Sequence, residues 1–208
     1  MTRTGRPREF DRDAAADAAM RLFWEHGYEA TSLTQLRAAM GGISTASFYA
    51  AFGSKEALFR EVLERYLAAY GQVTAPLKDS NVPPRLAIEQ ALRASARMQT
   101  DRNHPLGCLI VLSTITGSPE NQHLQARLAA ERQRNREGVQ ACITRAIAAG
   151  KLSDGIGIAA LAAVFDTFLV GLSVQARDGV PLAVLEAGIT DLMRVWDSLA
   201  TSPTHTHD

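Results

Sequence analysis

Ser44, Thr45, Ala46, Ser47 and Tyr49 follow a Gly41-Gly42 pair, with Thr31 and Ser32 upstream and Arg37 and Lys55 on either flank. Short hydroxyl side chains suit phosphate oxygens and base edges, because they need little ordering and can donate or accept. The two cations add positive charge at the edges of the segment. The chemistry implied is recognition of a nucleic acid.

A second candidate is Cys108, four residues after His104. Pro105 at the first helical position, capped by Asn103 or His104, predicts a helix with Cys108 in its first turn. The helix dipole favours a thiolate there. The plainer reading is a small buried hydrophobe, which free cysteine often is. Cys142, mid-helix between Ala141 and Ile143, has a weaker claim to chemistry.

Catalysis finds little support. The five histidines, at positions 26, 104, 123, 205 and 207, show no HExxH or other metal-ligand spacing. There is no GxSxG, no phosphate-binding glycine loop and no CxxC. A Cys108–His104 nucleophile pair lacks identifiable orienting and oxyanion groups. No enzyme, metal or cofactor is expected.

These residues need elements to hold them. The 208-residue chain is 46% hydrophobic and 21% charged, an ordinary globular composition. Lys plus Arg and Asp plus Glu both total 22, so a uniformly basic polyanion-coating protein is excluded. Two cysteines are too few for a disulfide framework, and the start lacks a signal-peptide pattern, so the cytoplasm is expected. The one membrane candidate, residues 155–176, carries Asp166 mid-span, which costs about 3 kcal/mol on insertion scales. A helix buried within protein is the expectation.

The pattern is helical nearly throughout, with no sustained period-two alternation. Asp11 or Asp13 can cap a first helix that Gly27 ends. Thr31 or Ser32 can cap a short second helix, Ser44 a third running to about Phe52, and Ser54 a fourth. Residues 71–84, with Gly71, Pro76, Pro83 and Pro84, read as a boundary. Beyond it, helices are expected at about 84–101, 105–117, 119–149, 155–177 and 181–199. The fold class is all-α, with about nine helices. An N-terminal helix-turn-helix domain would span residues 1–54, a helical body 55–200, and a frayed tail 201–208. His205 and His207 fall in that tail.

Helix, short helix, glycine turn and short helix is the arrangement of a helix-turn-helix, whose second short helix lies in the major groove. Leu33, Leu36, Ile43 and Phe48 would pack it. Arg3, Arg6 and Arg8 form a basic leader that can follow phosphates or enter a minor groove. Residues 1–75 balance nine basic against nine acidic groups, so a DNA footprint must come from their arrangement.

The segment "TSLTQLRAAMGGISTASFYAAFGSKEALFREVL" resembles the DNA-binding segment of TetR/AcrR-family transcriptional regulators. The matches include Leu33, Leu36, Gly42, Ile43, Ser44, Ser47, Phe48, Tyr49, Phe52, Lys55 and Glu56, and "AADAAMRLFWEHGYEATS" resembles the family's first helix. The resemblance covers residues 10–65. It implies phosphate contacts from Thr31 and Ser32, base or sugar contacts from Thr45, Ala46 and Ser47, and backbone contacts from Tyr49 and Lys55. Two departures stand out. Thr45 and Ala50-Ala51 replace larger polar residues able to make bidentate base contacts, which shifts readout toward thymine methyls, water and DNA shape. The Gly41-Gly42 turn is one residue longer than the usual one.

In the body, Leu161, Val164, Phe165, Phe168, Leu169 and Leu172, then Leu182, Leu185, Ile189, Leu192, Met193, Trp196 and Leu199, form two wide apolar stripes. Their breadth, and the resemblance, imply a homodimer through the last two helices. A thick monomeric core is the alternative. The resemblance also implies a small-molecule effector in the body, for which Tyr66, Tyr70, Met98, Cys108, Leu109, Leu112, Thr116, Phe165 and Phe168 are candidate contacts. Their apolar majority suggests a mostly hydrophobic or aromatic effector. A "GCL" run after a proline also resembles regulators in the family that respond to electrophiles or oxidants. The function expected is a repressor that binds double-stranded operator DNA and is released by effector. The alternative is a helical ligand-binding or interaction protein of the same fold without specific DNA binding.

Overall fold

A computed structural model describes residues 10–113 and 118–201. Asp11 caps α1 (Arg12–Ala30) by accepting from the Ala14 N–H at 3.0 Å. At Gly27 the backbone leaves helical geometry (φ 79°, ψ 171°), and a final short turn continues to Ala30. Ser32, not Thr31, caps α2 (Leu33–Ala39) in a reciprocal box with Gln35. Ser44 and Ser54 cap α3 (Thr45–Phe52) and α4 (Lys55–Ala68), each accepting the amide three residues on. Each such cap is worth about 1 kcal/mol.

The body comprises α5 (Pro84–Thr100), α6 (Leu109–Leu112), α7 (Gln122–Ala148), α8 (Ile158–Arg177) and α9 (Leu182–Leu199). Short 3₁₀ segments at Tyr70–Lys78 and Pro119–Asn121 complete it, and no strand occurs among the described residues. Two expectations change. Residues 71–84 are not a slack boundary: the Tyr70–Lys78 segment buries Leu77 in the body's core. There it sits over Gly138, where an added Cβ would lie 2.9 Å from the Leu77 Cβ. The helix expected at 105–117 shrinks to Leu109–Leu112, because Gly107 (φ +83°) and extended Cys108 interrupt it.

Two apolar cores result. One packs α5, α7, α8 and α9 around Ile88, Ile143, Phe165 and Trp196. The other gathers Phe23, Trp24, Leu36, Phe48, Phe59 and Tyr66 with Leu109, Leu124 and Leu128. The second core crosses the boundary expected at residue 54, since α4, α6 and the start of α7 share it with α1–α3. The α1–α3 segment, the expected DNA-reading head, is therefore built on the same apolar mass as the front of the body.

α8 is long and apolar enough to cross a membrane. Its one mid-helix charge, Asp166, is buried and accepts from Arg136 Nε of α7 at 2.9 Å. A carboxylate in an apolar helix needs such a partner, because an unpaired buried charge is costly.

Residues 106–108 join the two cores. Trp24 Nε1 donates to the Gly107 carbonyl at 3.1 Å, and the Gly107 N–H donates to the Gln99 carbonyl at 2.9 Å. Arg177, in the last turn of α8, donates to the carbonyls of Leu106 (3.1 Å), Glu25 (2.9 Å) and Trp24 (2.9 Å). A Cβ at Gly107 would meet the Leu112 side chain at 2.5 Å and the Ser173 carbonyl at 2.8 Å, in a left-handed conformation that side chains rarely adopt. Gly107→Ala is therefore expected to destabilise the protein by about 2–4 kcal/mol. A urea-denaturation midpoint unchanged from the parent would contradict this placement.

Candidate nucleic-acid interface and effector cavity

The face expected to read DNA is exposed. Ser44, Thr45, Ala46, Ser47, Tyr49 and Ala50 are all open to solvent, while Phe48 and Phe52 of the same helix are buried. Two of its hydroxyls are partly engaged: Ser44 Oγ accepts from the Ser47 N–H at 3.0 Å and lies 2.9 Å from Ser47 Oγ. Gly41 and Gly42 both have positive φ (81° and 76°). The turn is closed by the Gly42 N–H on the Arg37 carbonyl and by Arg37 Nε on the Ile43 carbonyl at 2.8 Å. Arg37 thus braces the Gly41-Gly42 turn through its Nε.

Thr31 is corrected outright. It is 0% exposed, and its hydroxyl donates to the Gly27 carbonyl at 2.7 Å, with the Leu22 carbonyl at 3.4 Å. Its side chain fastens the kinked end of α1 and has no path to a phosphate. Ser32 stays exposed, with its oxygen engaged by Gln35. Lys55 lies over the Tyr28 ring, 4.3 Å from its centroid, and partial burial lowers its pKa. Arg3, Arg6, Arg8, His205 and His207 lie outside the described residues.

Behind the reading head is a cavity of about 270 Å³ lined by α4, α5, α7, α8, the Tyr70–Lys78 segment and residues 108–111. Tyr66, Tyr70, Met98 and Cys108 are in its wall, as expected. Other candidates are elsewhere. Leu109 is buried in the front core, Leu112 packs against Gly107, and Thr116 lies outside the described residues. Phe165 packs on Trp196 in the rear core, and Phe168 lies against Gly188 of α9. A helical stripe shows that a side chain is covered but not by which neighbour. The wall is also more polar than expected, since Gln72, Ser95, Gln99, Glu131, Arg132, Asn135, Asp166 and Ser173 all contribute.

Cys108 needs a further correction. It precedes α6 instead of lying in a long helix's first turn, and its sulfur accepts from the Tyr66 hydroxyl at 3.3 Å. Burial pushes its pKa up, outweighing the Tyr66 contact and nearby amides that favour the thiolate. His104 is no partner for it: its ring stacks on Trp24 with centroids 4.5 Å apart. Tyr66 is likewise pushed well up by burial, with Cys108 adding to it.

Residues 16–62 match the model of the bacterial regulatory proteins of the tetR family. The chain is 35% identical over 198 residues to the HTH-type transcriptional repressor ComR of Escherichia coli K12, covering 94% of this chain and 93% of ComR. It is 31% identical over 116 residues to the HTH-type transcriptional repressor BdcR of the same organism, covering 56% of this chain and 58% of BdcR. This chain belongs to the TetR family. Its fold also matches a cysteine mutant of the TetR-family regulator CifR complexed with 26-base-pair operator DNA. That match has a TM-score of 0.82 and 41% identity, over 92% of this chain and all of CifR. TetR-family proteins and these relatives are regulators, a non-enzymatic class.

Several residues that set this TetR-family geometry were missed in the sequence. Arg12 holds Glu61 through two bonds of 2.8 and 2.6 Å, donates to the Ala51 carbonyl at 3.3 Å and covers the Phe52 ring, which ties α1, α3 and α4 together. Arg177 and the polar pair Gln99 and Ser173 were missed too. Nothing local marks them: the carbonyls that Arg177 meets are distant in sequence, and polar residues on helices usually face water. Asp166 did carry a signal, as a lone acid within an apolar run that demands a cation.

The raised Cys108 pKa has a direct consequence. The neutral thiol is favoured by folding, so its contribution to stability is present below the ordinary thiol value near ~8.5 and is lost as pH rises through the higher folded value. At pH 7.5, Cys108 should react with iodoacetamide about tenfold or more slowly than free cysteine, accelerating only at more alkaline pH. Peptide mass spectrometry distinguishes it from Cys142. Labelling at the free-cysteine rate would contradict the assignment.

Proposed function

We propose that this chain is a repressor that binds an operator as a two-fold homodimer and leaves it when a small molecule occupies the cavity behind the reading head. The observation that carries this reading is the exposed Ser44–Tyr49 face of a capped, braced α3. Thr45, Ala46, Ser47 and Tyr49 would meet bases, sugars and phosphates, and Ser32 and Lys55 would flank them. CifR bound to operator, and ComR and BdcR named as repressors, support the same reading. The place of action is the cytoplasm.

Support for the dimer comes from α8 and α9. Val164, Val174, Val184 and Val195 are exposed, and Ala160, Ala163 and Ala187 lie open among them. Phe168 lies against Gly188 between the two helices. The exposed part of α8 from Ala159 to Val174 carries no charge. A second copy pairing its own α8 and α9 here would cover these side chains and set two copies of α3 roughly 34 Å apart, one DNA turn.

The test is a salt-titrated binding assay on the DNA upstream of the protein's own gene. Affinity should fall steeply with salt and be confined to one site. Tyr49→Phe should weaken that binding about three- to tenfold, as expected for one lost hydrogen bond, with the melting temperature unchanged. Equal, weak binding to any duplex would favour a ligand-binding protein without an operator. For the dimer, Phe168→Glu should give monomers by sedimentation. A dimer that persists would refute the α8–α9 interface.

A further inference from the structure

Two residues of the cavity wall carry polar atoms that the fold leaves unserved. Gln99 and Ser173 are 3% and 0% exposed, yet Gln99 Oε1 and Ser173 Oγ have no hydrogen-bond partner among the described residues. Both residues line the cavity. Buried polar atoms are nearly always paired, so two orphans in one wall point to something that enters and pairs with them.

The two atoms also restrict what that is. Gln99 Oε1 is an acceptor, so it needs a donor; Ser173 Oγ accepts or donates. The acids in the wall are already matched, Asp166 with Arg136 and Glu131 with Arg134. A cation would therefore find its counter-charges occupied and would meet Lys78 and Arg132 in the same wall, while an anion, though drawn to those cations, has no proton to give Gln99 Oε1. Met98, Ile110, Leu169 and Val170 supply apolar wall beside these polar groups. We propose that the effector is a small neutral alcohol, whose hydroxyl gives a proton to Gln99 Oε1 and pairs with Ser173 Oγ while its short apolar body lies on the aliphatic wall. This rests on the reading of the cavity as the effector site.

The position explains how occupancy reaches the DNA-reading end. The Gln99 carbonyl holds the Gly107 N–H, and the Ser173 carbonyl lies where a Gly107 side chain would be. The two orphan-bearing residues therefore abut the same loop whose carbonyls receive Trp24 and Arg177.

The test titrates the full-length protein, without DNA, with benzyl alcohol, its isomer anisole, benzoate and benzylamine by calorimetry. Benzyl alcohol should bind at least about tenfold more tightly than anisole, which has the same atoms but no donor. Gln99→Leu and Ser173→Ala, which remove the orphan atoms and keep similar bulk, should each reduce that preference toward parity. Equal binding of anisole, tighter binding of benzoate or benzylamine, an undiminished preference in both variants, or no binding of benzyl alcohol would each overturn the proposal. Operator affinity of the unliganded protein is measured separately. Its absence would refute the regulator reading, whereas intact operator binding without an alcohol preference refutes only the ligand class.

Discussion

A handful of backbone carbonyls in the middle of the chain constrain everything else. Residues 106–108 cannot be helical while Gly107 holds a left-handed conformation, so their polar groups need partners from elsewhere. Trp24 and Arg177 supply them from α1 and α8. Arg177 reaches three carbonyls on two elements with one planar, always charged group, which a lysine could not do. These bonds fix the angle between the reading head and the body. α6 follows directly, and Cys108 at the end of this loop also lines the cavity.

Several charges are handled by pairing. Arg12, Arg60 and Arg65 all hold acids on or near the reading head, and Arg136 holds Asp166 inside the body. Exposed pairs of this kind contribute little individually. Their effect is to orient helices, and Arg12 does this for α3 through Glu61, Ala51 and Phe52 together. In the Asp166–Arg136 pair only the carboxylate is buried, so removing Arg136 would strand a buried charge, whereas removing Asp166 would leave a guanidinium that water can serve. The pair dictates which side of α8 faces α7, and thereby leaves the uncharged side outward.

What was legible in the sequence follows from how local each interaction is. Ser32, Ser44 and Ser54 announce helix starts because a cap spans three residues, and the buried Leu36 and Phe48 follow from helical periodicity. Thr31 was misjudged, since a threonine beside a cap looks like a phosphate ligand unless the kink at Gly27 brings a free carbonyl to it. The helix expected at 105–117 failed because one glycine conformation, set by contacts with Gln99 and Ser173, overrides a run of good helix formers. Within the cavity, Tyr66, Tyr70, Met98 and Cys108 were found because they flank the front core. Phe165 and Phe168 were misplaced because an apolar stripe does not name its neighbour. Gln99 and Ser173 were invisible, since polar residues on helices usually face water.

α3 carries no charge from Thr45 to Phe52, and its outward side chains are short apart from Tyr49. Under the proposed reading, such a helix gains little from long-range attraction and has few groups able to stretch toward a misplaced base. Its contacts therefore depend on position: a hydroxyl that meets a phosphate at hydrogen-bond distance loses most of that contact once it moves by an ångström or so. Long flexible cations would tolerate the same displacement. A reader built this way needs only a small rotation of the head against the body to be released, and the Gly107 joint is where such a rotation would begin. A neutral ligand pairing with Gln99 and Ser173 would act on that joint without carrying charge into the apolar interior. On these proposals, the uncharged reader and the neutral effector would be two consequences of one requirement, that the coupling be made by geometry.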